Sequence, residues 1–293
     1  PAKKTLKKGL YTTLDRDLEV VVNPQGTDAS AYSFNLMNSA NVDTELPFKD
    51  AVPFKGVLTR ATSENAVWVL PHDFVRYENI DDARKAIDNP DFQKEIQKIY
   101  KGAGYDLLGI ADQCFRVMTS AKPFTGIESF KGQKIRTMEN AYHLQFWKQM
   151  GANPTPMSFS EVYIGLQQGT IDAQENAYEI IVSAKLYEQQ KYLISTNAVP
   201  DYTTLIVSDE FYQGLTKEQQ KIIDQSAKTA QEKARESADD RRVQRQKVLE
   251  DEGMQIVDVD QKTWKQMQEK CQPVYDAIRK QAGDKLVDLY MGK

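Results

Sequence analysis

Arg116, Arg136 and Asn176 are the residues of this 293-residue chain whose types best suit the grip of an anion. A guanidinium offers a planar fork of N–H donors that matches a carboxylate bidentately, and an asparagine amide adds a donor and an acceptor. Arg136 closes the run Lys134-Ile135-Arg136; its plain alternative is a surface ion pair. Arg116 interrupts the apolar run Cys114-Phe115-Arg116-Val117-Met118, so it lies at a sheet edge or faces a ligand. No matching acid stands beside either arginine in the sequence, which suits an anion. Glu161 and Glu175 could form an acid–base pair, but Glu161 fits better as a helix-capping acid. Glu175, next to Asn176, fits as a partner that orders arginine side chains. Glu139, at the start of the helix after the Lys-Ile-Arg run, completes the candidate set with Phe159. Phe159, Trp147 and Tyr178 are either walls of a site or core. Cys114 and Cys271 lie far apart, as one disulfide or two free thiols. His72 and His143 are too few and too isolated for a zinc site. A Cys–His nucleophile is less fitting than two buried bystanders.

The elements that must position these residues are clearest between Phe130 and Asn176. Lys134 to Thr137 reads as a strand, and Glu139 to Met150 as a helix stopped by Gly151. Asn153-Pro154-Thr155-Pro156-Met157 is extended, because two prolines exclude helix. Ser158 with Glu161 predicts a capping box, opening a helix that ends at Gly169. Thr170 to Asn176 is the next strand. Strand, helix, strand, helix, strand with short links predicts a parallel sheet. Ligands bind beyond the carboxyl ends of such strands, where Arg136 and Asn176 both fall. Upstream, Ile80 to Tyr105 reads as helices, and Asp106–Ala111 and Cys114–Thr119 as two strands. Thr216 with Gln219 is a second capping box, followed by a stripe of Ile223, Ala227, Ala230, Ala234 and Ala238 on a charged cylinder. That helix, about 217–252, is long enough to brace two lobes.

Composition narrows the function. Thirty-eight basic and 42 acidic residues give a net charge of −4, mixed along the chain rather than in blocks. Clusters such as Arg241-Arg242 sit beside Asp239-Asp240, so no basic stripe for nucleic acid emerges. No apolar run approaches the roughly 18 residues that span a bilayer. The basic start Pro1 to Lys8 lacks an apolar signal core, which fits a cytoplasmic chain or a mature exported one. A lone Gly102-Ala103-Gly104 before a strand is not a dinucleotide site, and no other cofactor or metal motif is present. The residues alone therefore predict an α/β protein that binds a small acid without a cofactor.

Four ordered segments carry a family resemblance. They are Phe130-Lys131-Gly132-Gln133-Lys134-Ile135-Arg136, Gly151 to Met157, Phe159-Ser160-Glu161-Val162-Tyr163, and Leu166-Gln167-Gln168-Gly169-Thr170-Ile171-Asp172-Ala173-Gln174-Glu175-Asn176. Together they closely resemble the substrate-binding proteins of TRAP transporters, the DctP-type family. Lys185 to Leu193 and the long helix extend the resemblance over about the last three-quarters of the chain. It implies a two-lobe periplasmic binding protein fold with a cleft between the lobes. The expected lobes are 1–113 plus 203–241 and 114–202 plus 242–293. It implies a mature exported, periplasmic monomer, its signal peptide removed, that is no enzyme. The protein would deliver a small organic acid to membrane permease subunits. Arg136 would be the main carboxylate anchor, with Arg116, Asn176 and Phe159 around the ligand. The residue readings also leave an enzyme of organic acids, or a ligand-sensing module, as alternatives.

This chain departs from the family pattern in three places. Ala177 stands where a proline usually follows the Gln-Glu-Asn motif, and Asn197 to Tyr202 replaces a segment that often carries a histidine. Only Thr13 to Asp17 separates the first expected strand, Lys4–Thr12, from the second, Leu18–Pro24. A parallel crossover needs a dozen or more residues, so the first two strands form a hairpin or the first lobe is rearranged.

Overall fold

The computed structural model describes residues 18–22, 32–36, 52–53, 58–60, 74–138 and 140–292. The first strands are β1 (Leu18–Val22), β2 (Tyr32–Leu36), β3 (Val52–Pro53) and β4 (Leu58–Arg60). Helices α1 (Ile80–Asp88) and α2 (Pro90–Gly102) lead into β5 (Tyr105–Ser120). Then follow β6 (Lys134–Thr137), α3 (Ala141–Gln149), β7 (Asn153–Pro156), α4 (Phe159–Gln167), β8 (Ala173–Asn176) and α5 (Tyr178–Ser183). The chain continues through β9 (Tyr192–Ser208), α6 (Asp209–Gln213), α7 (Lys217–Asp251) and β10 (Gln255–Asp258). It closes with α8 (Gln261–Lys270), α9 (Gln272–Ala282) and α10 (Asp284–Met291).

Two compact units divide these elements. One holds 1–67, 94–111 and 203–235; the other holds 68–93, 112–202 and 236–293. In the first unit β1 pairs antiparallel with both β2 and β3, and β4 pairs antiparallel with β9 at Leu205–Val207. The Leu18–Val22 part of the expected second strand is thus β1, while Lys4–Thr12 lies outside the described residues. Thr216 and Gln219 form the reciprocal cap that their spacing predicts. The Gln219 amide donates to Thr216 Oγ1 at 3.3 Å and the Thr216 amide to Gln219 Oε1 at 2.9 Å.

The second unit is a sheet clothed on both faces. Its strands run in the order β10, β9, β5, β8, β6, β7. The prolines of β7 are tolerated because it is an edge strand, with no further strand to receive a donor. β6 lies parallel to β7 and β8, as strand–helix–strand links require, whereas β5 is antiparallel to β8. Side chains alternate between faces along a strand. Accordingly Val117 and Leu193 enter one buried cluster with Val162, Leu166, Ile181 and Leu249, while Met118 and Ile194 enter another with Phe146, Trp147, Met267 and Val274. Helices α4, α5 and the end of α7 cover the first face; α3, α8 and α9 cover the second.

Four local expectations need correction. Residues 105–120 form one strand, not two. Cys114 adopts a left-handed φ of 64° in its middle, its amide donating to Asp112 Oδ1 at 3.2 Å. Asp112 is itself held bidentately by Arg84, at 2.8 and 2.9 Å. Helix α3 starts at Ala141, where Asn140 Oδ1 accepts from the Tyr142 and His143 amides. Ser158 occupies the N-cap position of α4 but its hydroxyl turns to Ser160, so no capping box closes there. In α7, Ile223, Ala227 and Ala238 are buried, but Ala230 is exposed.

Candidate functional site

The candidate residues converge in the second unit, at the carboxyl ends of β6 and β8. Parallel pairing sets Arg136 opposite Gln174, and antiparallel pairing sets Val117 opposite Asn176 and Met118 opposite Glu175. Three strands therefore bring Arg136, Arg116, Glu175 and Asn176 to one end of the sheet. All four are buried.

Arg116 spends its donors within the protein. Its Nε donates to Glu175 Oε2 at 2.7 Å, and its Nη2 to Glu175 Oε1, the Glu175 carbonyl and Asn176 Oδ1 at 3.1, 2.8 and 3.0 Å. Its Nη1 lies 3.5 Å from Asp201 Oδ1. The expectation that no acid accompanies Arg116 is thus overturned. Asp201 is 85 positions away in sequence, and Glu175 arrives from the neighbouring strand. Burial pulls the Arg116 pKa down, but the two carboxylates outweigh it and hold it above its ordinary value.

Glu175 shows the complementary balance. Burial opposes its ionisation, yet Arg116 and His143 hold its carboxyl well below the usual carboxylate range. His143 Nδ1 lies 3.1 Å from Glu175 Oε1, with the ring edge-on to Phe74 at 5.0 Å. Sequence reading treated His143 as a bystander; only the fold brings α3 onto β8. Asn176 is fixed by Gln174, whose Oε1 accepts from Asn176 Nδ2 at 2.7 Å while its Nε2 donates to Thr119 Oγ1 at 2.9 Å.

Arg136 differs. Its Nε and Nη2 both donate to the Met157 carbonyl, at 3.0 and 2.8 Å. Among the described residues no carboxylate lies within ion-pair distance of it, and no residue accepts from its Nη1. Burial pushes its pKa down to about 10, with Arg116 adding to the effect and Glu175 opposing it. The guanidinium stays charged at neutral pH, aligned by one carbonyl and 5.6 Å from the Phe159 ring centroid. The Met157 carbonyl follows from the Pro-containing β7, whose extended end points backbone oxygen at β6. This contact was outside the reach of sequence reading.

The remaining candidates separate cleanly. Phe159 is 43% exposed, a free aromatic face beside Arg136, whereas Trp147 and Tyr178 are core. Glu139 lies outside the described residues. Glu161 is exposed on α4, whereas Glu175 is buried and ion-paired with Arg116. Cys114 and Cys271 are buried and form no disulfide with each other. Burial pushes the Cys114 thiol up to about 12, with Asp239 adding to it, so it is no nucleophile at neutral pH.

The arrangement sets one guanidinium, aligned by a backbone carbonyl and without a carboxylate in ion-pair distance among the described residues, beside an arginine–carboxylate network. Comparison with known proteins gives the family. The profile of the bacterial extracellular solute-binding proteins, family 7 (DctP), matches residues 52–281. The ectoine-binding periplasmic protein TeaA of Halomonas elongata is 35% identical over 163 residues, 56% of this chain and 46% of that protein. The sialic acid-binding periplasmic protein SiaP of Vibrio cholerae is 31% identical over 172 residues, 59% of this chain and 53% of that protein. The chain thus spans about half the length of the curated relatives it matches. A TRAP periplasmic solute-binding protein of Haemophilus influenzae, solved with bound L-gulonate, superposes with a TM-score of 0.73 at 27% identity, covering 81% of this chain and 80% of that one. The chain belongs to family 7 of the bacterial extracellular solute-binding proteins, the DctP-type binding proteins of TRAP transporters.

Proposed function

We propose that this protein captures a small organic acid by its carboxylate, outside the cytoplasm, and delivers it to a TRAP-type membrane permease. The observation that carries the reading is Arg136, a buried arginine with no acidic partner among the described residues. An uncompensated buried charge costs several kcal/mol, and an arriving carboxylate removes that cost while adding charge-assisted hydrogen bonds. Arg136 is the anchor, with its Nη1 edge free for a carboxylate oxygen. Phe159 walls the same guanidinium, and Asn176 has a second amide hydrogen to offer. Arg116 and Glu175 act mainly by holding Asn176 and the strand ends in place, because their own charges are already spent on each other.

Relatives support the ligand class. The neighbour above was solved with L-gulonate. The Escherichia coli relative YiaO, 34% identical over 137 residues (46% of this chain, 42% of that protein), is a 2,3-diketo-L-gulonate-binding periplasmic protein. Sugar acids therefore head the candidate panel.

A thermal-shift screen against sugar acids and other organic acids, each beside its neutral amide, tests the proposal. A ligand at a hundredfold excess over its Kd adds about 2.7 kcal/mol to stability. A shift for an acid that vanishes for its amide is the expected outcome. Equal shifts for acid and amide, or affinity unchanged by Arg136→Ala, would sink it.

A further inference from the structure

A second concentration of arginine lies away from this site. Arg241, Arg242 and Arg245 line a small open crevice between α7, α5 and the middle of β5. Gln113, Tyr178, Glu179 and Ala238 complete its walls. None of these seven residues belongs to the network around Arg136 and Glu175.

Helix geometry explains why the arginines converge. Residues three and four apart share a face, so Arg241 and Arg242 both stand one turn before Arg245. Ala238 is 2% exposed at the preceding turn, and its small side chain leaves the hollow that a larger residue would fill. The floor is polar as well as aromatic, since Tyr178 is 5% exposed and Gln113 is half-buried.

Three lining residues are arginines and one is a carboxylate. That carboxylate, Glu179, is engaged by Arg245, whose Nε lies 2.6 Å from Glu179 Oε2. Asp239, an acid of the same stretch of helix, is held by Arg84 at 3.1 Å and accepts from the Cys114 thiol at 3.4 Å. Arg242 donates to Gln246 Oε1 at 3.4 Å, and among the described residues no carboxylate lies within ion-pair distance of it. Arg241 reaches Ser237 Oγ. Like charges one turn apart on a helix repel, and a compact anion between them would reverse the sign of that interaction.

We propose that this crevice is a second anion site, taking a compact oxyanion of the phosphate or sulfate type. Arg242 supplies a guanidinium with no carboxylate in ion-pair distance among the described residues, Arg241 and Arg245 flank it, and Gln113 offers an amide donor. A tetrahedral dianion suits convergent forks better than a monocarboxylate, because its oxygens can meet more than one guanidinium.

The test uses inorganic phosphate and the whole chain. Binding is followed by isothermal titration calorimetry at fixed ionic strength, with chloride as the balancing anion. Wild type should bind saturably with one site, and sulfate should compete. Arg242→Gln should weaken binding by about tenfold, the scale of one lost charge-assisted hydrogen bond, and Arg242→Glu should abolish it. Both variants should keep the wild-type melting profile. Arg136→Ala should leave phosphate binding intact, which separates this site from the organic-acid site. Absence of saturable binding, binding equally strong in Arg242→Glu, or binding lost only in Arg136→Ala would each overturn the proposal.

Discussion

Arg116 and Arg136 are both buried, at 8% and 5% exposure, on strands of one sheet, yet they hold opposite electrostatic positions. Arg116 meets two carboxylates, a carbonyl and an amide oxygen. Arg136 meets one backbone carbonyl. The first charge is met by carboxylates at hydrogen-bond and ion-pair distance, whereas the second is aligned with no carboxylate in ion-pair distance among the described residues. A satisfied ion pair stabilises structure and offers a ligand little; an unsatisfied one costs stability and returns that cost on binding. On the proposed reading, the same residue type serves as framework in one place and as grip in the other.

Breaking the framework should give the largest effect. Glu175→Gln removes the carboxylate that Arg116 and His143 share and leaves a buried guanidinium without its main partner. We expect a loss of about 3–5 kcal/mol, as for other broken buried pairs, read as a fall in the urea midpoint. Asp201→Asn removes only the longer, 3.5 Å contact. It should cost about 1–2 kcal/mol, the penalty of one weakened charged hydrogen bond, with Glu175 keeping Arg116 in place.

Acid sharpens the same contrast. The Glu175 carboxyl is depressed in the folded state, so its stabilisation is present above the unfolded value near 4.5 and is lost as pH falls below it. Wild-type stability should decline with falling pH in that range. Glu175→Gln should show a shallower decline, because it has no such proton to take up; equal slopes would remove Glu175 from the account. The smallest effect belongs to Phe159, whose ring faces Arg136 at 5.6 Å. Phe159→Leu should lower affinity for an acid ligand by about 0.5–1 kcal/mol, the scale of an exposed cation–π contact, with little change in stability.

Much of this arrangement was legible in the chain. Proline spacing marked β7, Gly151 and Gly169 marked helix ends with φ of 89° and 69°, and Thr216 with Gln219 marked the start of α7. The order strand–helix–strand placed Arg136 and Asn176 at the carboxyl ends of two strands of one parallel sheet, facing the same crevice. What escaped was non-local or conformational. Asp201 and His143 reach the site only through sheet and helix packing, and no spacing rule links them to Arg116 or Glu175. Cys114 looked like the start of a second strand because a left-handed residue inside a strand has no signature in a cysteine. Ser158 had the right neighbours for a cap, yet its hydroxyl found Ser160 instead. Period and punctuation survive in one dimension; partner choice among buried charges does not.

The contrast reduces to one substitution measured twice. Arg136→Met keeps the volume of the side chain and removes its charge. Its melting temperature without ligand should equal or exceed that of wild type, since a buried, unpaired charge is gone. Addition of an organic acid that raises the melting temperature of wild type should leave the variant unmoved. A variant that melts well below wild type, or that is stabilised by the same acid to the same degree, would contradict the claim that Arg136 is held uncompensated for a ligand carboxylate.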